Sequence, residues 1–268
     1  MAKTVVVASL KGGTGKSTVT ANFGRAFRRK EYQVGLLDVD AVAPTLHKAL
    51  GLAEAPRWEV DAAEQLIIPH QVDGLYVVTM ASHYGENPAV LWDEPTLIRA
   101  MRELNTLVKW PQLDFLFLDS PPSSSKFMQE LYDCLPDLYG IVLVFQPSDI
   151  AVADLVRTID FIRIKKAPVI GLVSNMDICI SPRGERFWPY LSPRVDIGSA
   201  CEEYGIPLLG EVPLTPLQAK VDIEFDKIAD RIEKTKPRVL TDDLATRLCK
   251  AIARKGVEAF IRRLEWQQ

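Results

Sequence analysis

Near the start of the chain, the run Lys11-Gly12-Gly13-Thr14-Gly15-Lys16-Ser17-Thr18 combines the groups needed to hold a phosphate tail. A polyphosphate requires a ring of inward-pointing backbone N–H groups, a cation, and a hydroxyl able to join a magnesium shell. Gly12, Gly13 and Gly15 let the backbone turn tightly and approach the phosphates closely, because no Cβ stands in the way. Lys16 supplies the cation for the β- and γ-phosphates and Ser17 the magnesium ligand, with Thr14 and Thr18 completing the cradle. The expected ligands are therefore ATP and Mg²⁺.

Three aspartates belong with this loop. Asp38 and Asp40 follow the apolar run Val34-Gly35-Leu36-Leu37, and Asp119 follows Leu116-Phe117-Leu118. In doubly wound folds ligands gather outside the carboxyl ends of the strands, so these carboxylates should face the phosphates. Carboxylates beside phosphate repel it unless a magnesium ion or an attacking water lies between them. Asp119 is expected to hold a magnesium-bound water. The segment Ser120-Pro121-Pro122-Ser123-Ser124 after it is expected to sense the γ-phosphate. The plainer alternative for Asp38 and Asp40 is a pair of turn or helix-capping aspartates.

These groups need a scaffold that delivers strand ends side by side. Thr4-Val5-Val6-Val7-Ala8-Ser9 has the β-branched, unbroken apolar character of a strand buried on both faces. After the glycines, Val19, Phe23, Ala26 and Phe27 recur at helical spacing with Arg25, Arg28 and Arg29 among them, as in a helix packed on a sheet. Further strands are expected at 34–38, 75–78, 115–118, 141–144, 169–173 and 207–209. Helices are expected near 95–107, 125–133, 150–165, 196–204 and 241–265. Strands alternating with helices imply right-handed βαβ units. The expected fold is α/β, a mainly parallel twisted sheet with helices on both faces, as one domain over residues 1–268. Two stretches, 41–74 and 178–195, carry prolines that break regular structure and are expected to be functional loops.

Composition bounds the partners. The chain has 268 residues, 47% of them hydrophobic and 25% charged, with a net charge of −3. That is ordinary for a globular protein and gives no strong case for nucleic-acid binding. The basic clusters at Arg25–Lys30 and Arg254–Arg263 read as solvated helix faces. Cys134, Cys179, Cys201 and Cys249 are scattered, as in a reducing compartment. Met1-Ala2-Lys3-Thr4 leads straight into the first strand, so no signal peptide is expected. No apolar run is long enough to span a bilayer, and a cytoplasmic location is expected.

The loop also departs from the common GxxxxGK[ST] spacing, which would need a glycine where Leu10 stands. In its place Lys11 precedes two glycines, and the string resembles the deviant Walker A motif of the MinD/ParA/Mrp class of ATPases. The resemblance implies that Lys11 acts catalytically by reaching the nucleotide of a partner subunit. It also implies that Asp40 positions the attacking water and that Asp38 lies nearer the magnesium shell.

Beyond the loop, several stretches look like the Mrp-type iron–sulfur carrier ATPases. These are Leu91-Trp92 with Pro95, Trp110 with Leu113-Asp114-Phe115, and Asp119-Ser120-Pro121-Pro122. Phe145-Gln146-Pro147, Asn175-Met176 and the run Gly205 to Leu214 follow the same order. The similarity covers most of residues 3–215. It implies a magnesium-dependent homodimeric ATPase with Asn175 beside the adenine and Pro213 in the nucleotide site.

Three departures bear on cargo and switching. Where the family carries a CxxC, this chain has Cys179-Ile180-Ser181-Pro182, with a single thiol. Four thiolates are the normal requirement of a 4Fe–4S cluster, so no such cofactor is expected. Ser123-Ser124 replaces the usual Gly-Thr, and Asp93-Glu94 the usual Arg-Gly.

The expected function is that of a nucleotide-gated assembly or maturation factor. Loop 178–195, with Phe187, Trp188, Tyr190, Arg183, Arg186 and Arg194, would meet a protein client. The alternative is a MinD/ParA-type positioning ATPase cycling on membrane or DNA. A basic amphipathic C-terminal helix would provide its membrane contact, against the plainer expectation that the helix's apolar stripe covers the sheet.

Overall fold

A computed structural model describes residues 2–9, 11–40, 43–84, 99, 104, 106–121, 126–135, 138–189 and 194–266. The chain divides into two compact units, residues 1–8 with 16–139, and residues 9–15 with 140–268.

The first unit is built on β1 (Lys3–Ala8), β2 (Val34–Asp38), β5 (His70–Val72), β6 (Leu75–Thr79) and β7 (Phe115–Asp119), ordered β1-β7-β2-β6-β5. All pairs are parallel except β5–β6. Every residue of β2 and β7 is buried, the pattern of strands covered on both faces. Helix α1 (Lys16–Arg29) lays Val19, Phe23, Ala26 and Phe27 on β2 and β7. Phe27 sits 4.4 Å from Phe115 and 5.1 Å from Phe117, ring centre to ring centre, and Phe23 sits 5.5 Å from Phe117. These offset aromatic contacts hold the helix that begins at Lys16 against the strand that ends at Asp119.

The register then does the positioning. Asp38 is paired with Asp119 of β7 on one side and with Thr79 of β6 on the other. Both carboxylates therefore leave the sheet at one level.

The stretch 41–74, expected to be irregular, contains short elements: α2 (Leu46–Ala49), a separate antiparallel ribbon of β3 (Glu59–Asp61) and β4 (Leu66–Ile68), and β5. The prolines fall between these elements rather than inside them. Helix α3 (Ala81–Tyr84) follows β6, and α4 (Lys126–Asp133) matches the helix expected at 125–133. Most of the helix expected at 95–107 lies outside the described residues, as do Leu91 to Pro95 and Pro122 to Ser124.

In the second unit β9 (Pro168–Ile180) is the central strand, parallel to β8 (Leu138–Phe145) and to β11 (Leu208–Leu214). Two short strands, β10 (Arg186–Phe187) and β12 (Arg238–Val239), run antiparallel to it. The start of 178–195 is thus not irregular. β9 continues to Ile180 and turns back through Ser181–Glu185, where Ser181 N–H donates to the Glu185 carbonyl at 2.9 Å.

Around these strands lie α5 (Asp149–Ile164), α6 (Gly198–Glu203), α7 (Gln218–Lys234) and α8 (Asp242–Trp266). The sequence reading missed α7, although its buried residues Phe225, Ile228, Ala229 and Ile232 follow helical spacing. Helix α8 packs on α5 rather than on the sheet. Leu248 and Ile252 are buried, whereas Val257, Phe260 and Ile261 are exposed on its C-terminal half. The whole is the expected α/β class, with mainly parallel strands flanked by helices.

Candidate nucleotide site

In the first unit, Lys16 opens α1 and is 7% exposed. Burial lowers its pKa, and the carboxylates of Asp119 and Asp40 pull it back up. Asp119, at the end of β7, is 1% exposed, and neither carboxylate oxygen has a hydrogen-bond partner among the described residues. Burial pushes its carboxyl up to about 7; the Ser17 hydroxyl and Lys16 pull it down and Asp40 adds to the rise. The Ser17 and Thr20 hydroxyls lie close by but outside hydrogen-bond geometry.

Asp38 is fully buried and engaged on both oxygens. Asp40 N–H donates to Oδ1 at 3.0 Å, while Leu46 N–H at 3.2 Å and the Thr79 hydroxyl at 3.0 Å donate to Oδ2. Burial drives the Asp38 carboxyl well above the usual range, and Asp119 adds to the rise. Asp40 accepts from Ala43 N–H at 3.0 Å. Ser17 and Thr45 share a 2.8 Å hydroxyl hydrogen bond. Thr18 is exposed on the first turn of α1.

A buried lysine with two unpartnered carboxylate oxygens beside it suits a charged ligand better than an empty site. Hard oxygen donors such as Asp119 and Ser17 fit a magnesium ion, and Lys16 fits phosphate.

In the second unit, Gly13 and Thr14 of the loop 9–15 are held by side chains from within β9 and from just past the end of β8. Gly13 and Gly15 have φ of +77° and +83°, a backbone region where other residues are strained. A side chain at Gly15 would strike the Asn175 amide. Asn175, in β9 and 5% exposed, donates to the Thr14 carbonyl at 2.8 Å. Gln146, just past β8, donates to the Gly13 carbonyl at 3.1 Å and lies 3.1 Å from Met176 Sδ. Lys11 is half-buried, and its N–H donates to the Ser9 hydroxyl at 3.3 Å. Gly12 is exposed, with nothing near its Cα that a side chain would strike.

Pro213 lies on β11, one residue beyond Val212, which pairs with Asn175. It lines an open cavity of about 650 Å³ shared with Asp177, Glu211 and Arg231. In the expected client loop, Arg186 and Phe187 are exposed and Arg194 bonds Asp177 and Glu211. Tyr190 lies outside the described residues.

The sequence reading gave no site role to three residues. Thr79 and Gln146 carried a usable signal, because each is a polar residue at the carboxyl end of an apolar strand. Thr45 carried none, since only the fold brings it to Ser17.

A family model described as ParA, the NUBPL iron-transfer P-loop NTPase, matches residues 1–252. The chain belongs to this family. It is a P-loop nucleoside-triphosphatase of the deviant Walker A class, with relatives of the Mrp type.

The iron–sulfur cluster carrier protein of Methanocaldococcus jannaschii is 31% identical over 265 residues, covering 95% of this chain and 83% of that one. Its counterpart in Aquifex aeolicus is 32% identical over 238 residues, covering 88% of this chain. This chain spans 62% of the length of the Aquifex protein.

A solved nucleotide-binding protein from Archaeoglobus fulgidus, in complex with ADP, superposes with a TM-score of 0.65 at 26% identity, covering 84% and 87% of the two chains. The septum site-determining protein MinD of Pyrococcus horikoshii shares the fold at 19% identity, with a TM-score of 0.61 over 87% of this chain and 97% of that one.

Among the described residues no three His, Cys, Asp or Glu side chains group as metal ligands, and no helix is long and apolar enough to cross a membrane.

Proposed function

We propose that this P-loop NTPase is a magnesium-dependent ATPase that works as a homodimeric, nucleotide-gated assembly or maturation factor, akin to the iron–sulfur carriers it resembles. The observation that carries the proposal is Lys16, buried and paired electrostatically with Asp119, whose two carboxylate oxygens have no hydrogen-bond partner. When bound, magnesium would supply positive charge to the phosphates; Asp119 and Ser17 would hold its shell, and Lys16 the phosphates. The N–H groups of the loop stabilise the charge that develops as water attacks phosphorus and the bond to the β–γ bridging oxygen breaks. Asp40 orients that water and takes up its proton. Asp38, with both oxygens engaged, sets the backbone of Asp40 and Leu46. Lys11 acts across the dimer on the partner's nucleotide, Asn175 lies beside the adenine, and Pro213 belongs to the nucleotide site.

Exposed Arg186 and Phe187 suit the client contact, in a cytoplasmic setting. A second reading, cycling on an anionic membrane, is favoured by one feature: exposed Val257, Phe260 and Ile261 on α8 with Arg254 and Arg262 beside them. Sedimentation with anionic liposomes, with and without ATP, separates the two.

Thermal shift with ATP and Mg²⁺ tests the main reading. A hundredfold excess over Kd should add about 2.7 kcal/mol to the wild type. Lys16→Ala should lose most of this gain, while Asp40→Ala should keep it and lose turnover. A full shift in Lys16→Ala overturns the assignment.

A further inference from the structure

Two consecutive carbonyls of the glycine loop are drawn to the same end of the second unit. The Gly13 carbonyl accepts from the Gln146 side-chain amide at 3.1 Å, and the Thr14 carbonyl from Asn175 at 2.8 Å. Both donors stand at Met176, which follows Asn175 in sequence and whose sulfur lies 3.1 Å from Gln146 Nε2. A trans peptide is planar, with its C=O and the next N–H pointing in opposite directions. A carbonyl tied back toward Gln146 therefore turns the Thr14 N–H to the far side of the loop. One tied back to Asn175 does the same for the Gly15 N–H. The positive φ of Gly13 and Gly15 is the backbone alternation from which N–H groups form an anion-binding concavity.

From this geometry we infer that Gln146 is a positioning residue for the phosphate site: its amide fixes the Gly13–Thr14 peptide so that the Thr14 N–H faces the phosphates. The inference rests on the nucleotide reading above and extends it to a residue outside the motif. Gln146 is half-buried, with its amide nitrogen also 3.1 Å from Met176 Sδ, so the side chain is held in place on the protein side. Loss of its hydrogen bond leaves the peptide free to rotate between the flanking glycines. A freely rotating peptide must be re-ordered at each binding event, and that cost appears as weaker binding of every nucleotide with a β-phosphate.

The test compares wild type with Gln146→Met, which keeps length and apolar packing against Met176 but removes the donor. Titration calorimetry with ADP and Mg²⁺ should show Kd raised about fivefold, the size of one hydrogen bond. KM for ATP should rise to match, with kcat reduced less than twofold. AMP, which has no β-phosphate, should bind the two proteins alike, and a merely structural defect would not produce that split. If Gln146→Met also melts earlier than wild type, Gln146→His decides the matter. Its Nε2–H reaches about as far as the lost amide, so ADP affinity at pH 8 should recover. Wild-type affinity for ADP in Gln146→Met, or equal weakening in the Met and His variants, overturns the inference and leaves the nucleotide reading standing. Failure of the wild-type chain to bind ADP at all sinks both.

Discussion

Replacing Asp119 by Asn should make the nucleotide-free protein more stable while removing its magnesium-dependent turnover. Asp119 is 1% exposed with both carboxylate oxygens unpartnered, and burial pushes its carboxyl from 3.8 up to about 7. The native state therefore keeps this proton up to about pH 7, whereas the unfolded chain gives it up near pH 4. Between those values the folded protein binds more protons than the unfolded one, so stability falls as pH rises, and the penalty is complete above pH 7. The gap between 3.8 and about 7, at about 1.4 kcal/mol per pH unit, corresponds to a penalty of about 4 kcal/mol. Asp38, raised by the same burial, tilts the wild-type curve in the same direction.

Asn carries no charge and no such penalty, although burying its amide gives back about 1–3 kcal/mol. The net gain at pH 8 is then about 1–3 kcal/mol, roughly 2–10 °C in Tm for a chain of this size. Near pH 4, where wild-type Asp119 is protonated in the folded state and about half protonated in the unfolded chain, most of that advantage should be gone. The assay is thermal melting of both proteins from pH 4 to pH 8.5 without nucleotide, then with ATP and Mg²⁺. Wild-type stability that is flat across this range would refute the reasoning. So would an Asp119→Asn protein that melts below wild type at pH 8.

Lys11→Ala should lose turnover by more than tenfold while Kd for ATP changes little; normal turnover per subunit would remove the role across the dimer. Asp40→Ala with ATP should show more dimer by light scattering than the nucleotide-free protein, and an unchanged mass would count against nucleotide gating. Phe117→Ala should cost about 3–5 kcal/mol by urea unfolding, because the ring is fully buried between Phe23 and Phe27; a cost under about 1 kcal/mol would mean the helix is held elsewhere. Anaerobic reconstitution with iron and sulfide should leave no stable 4Fe–4S cluster: Cys179 gives two thiolates per dimer, and burial pushes the Cys201 thiol up to about 12, which disfavours a thiolate ligand. An absorbance band near 400 nm that disappears in Cys179→Ser would reverse that expectation.

Local pattern was enough to establish the glycine loop and the strands before it and before Asp38 and Asp119. β-Branched apolar runs, helical spacing and glycine placement depend on neighbours in sequence, and those neighbours are visible. The single thiol at Cys179, where a CxxC would need two, is likewise a matter of sequence alone. Helix α7 was legible too, in Phe225, Ile228 and Ile232, although the reading passed over it.

What spacing could not supply is which strand end lies beside which. The pairing of Asp38 with Asp119 and Thr79 comes from the sheet register, which sums interactions along whole strands. That pairing sets Asp38 beside Thr79, where it also anchors Leu46, and brings the Asp119 carboxylate close enough to add to the rise of the Asp38 carboxyl. The same is true of Gln146 and Asn175, 133 and 161 residues from the carbonyls they hold. A hydrogen bond to a backbone carbonyl needs only a donor in reach. The loop residues that accept it carry no trace of the donor in their own identities, so only the folded chain could reveal these contacts.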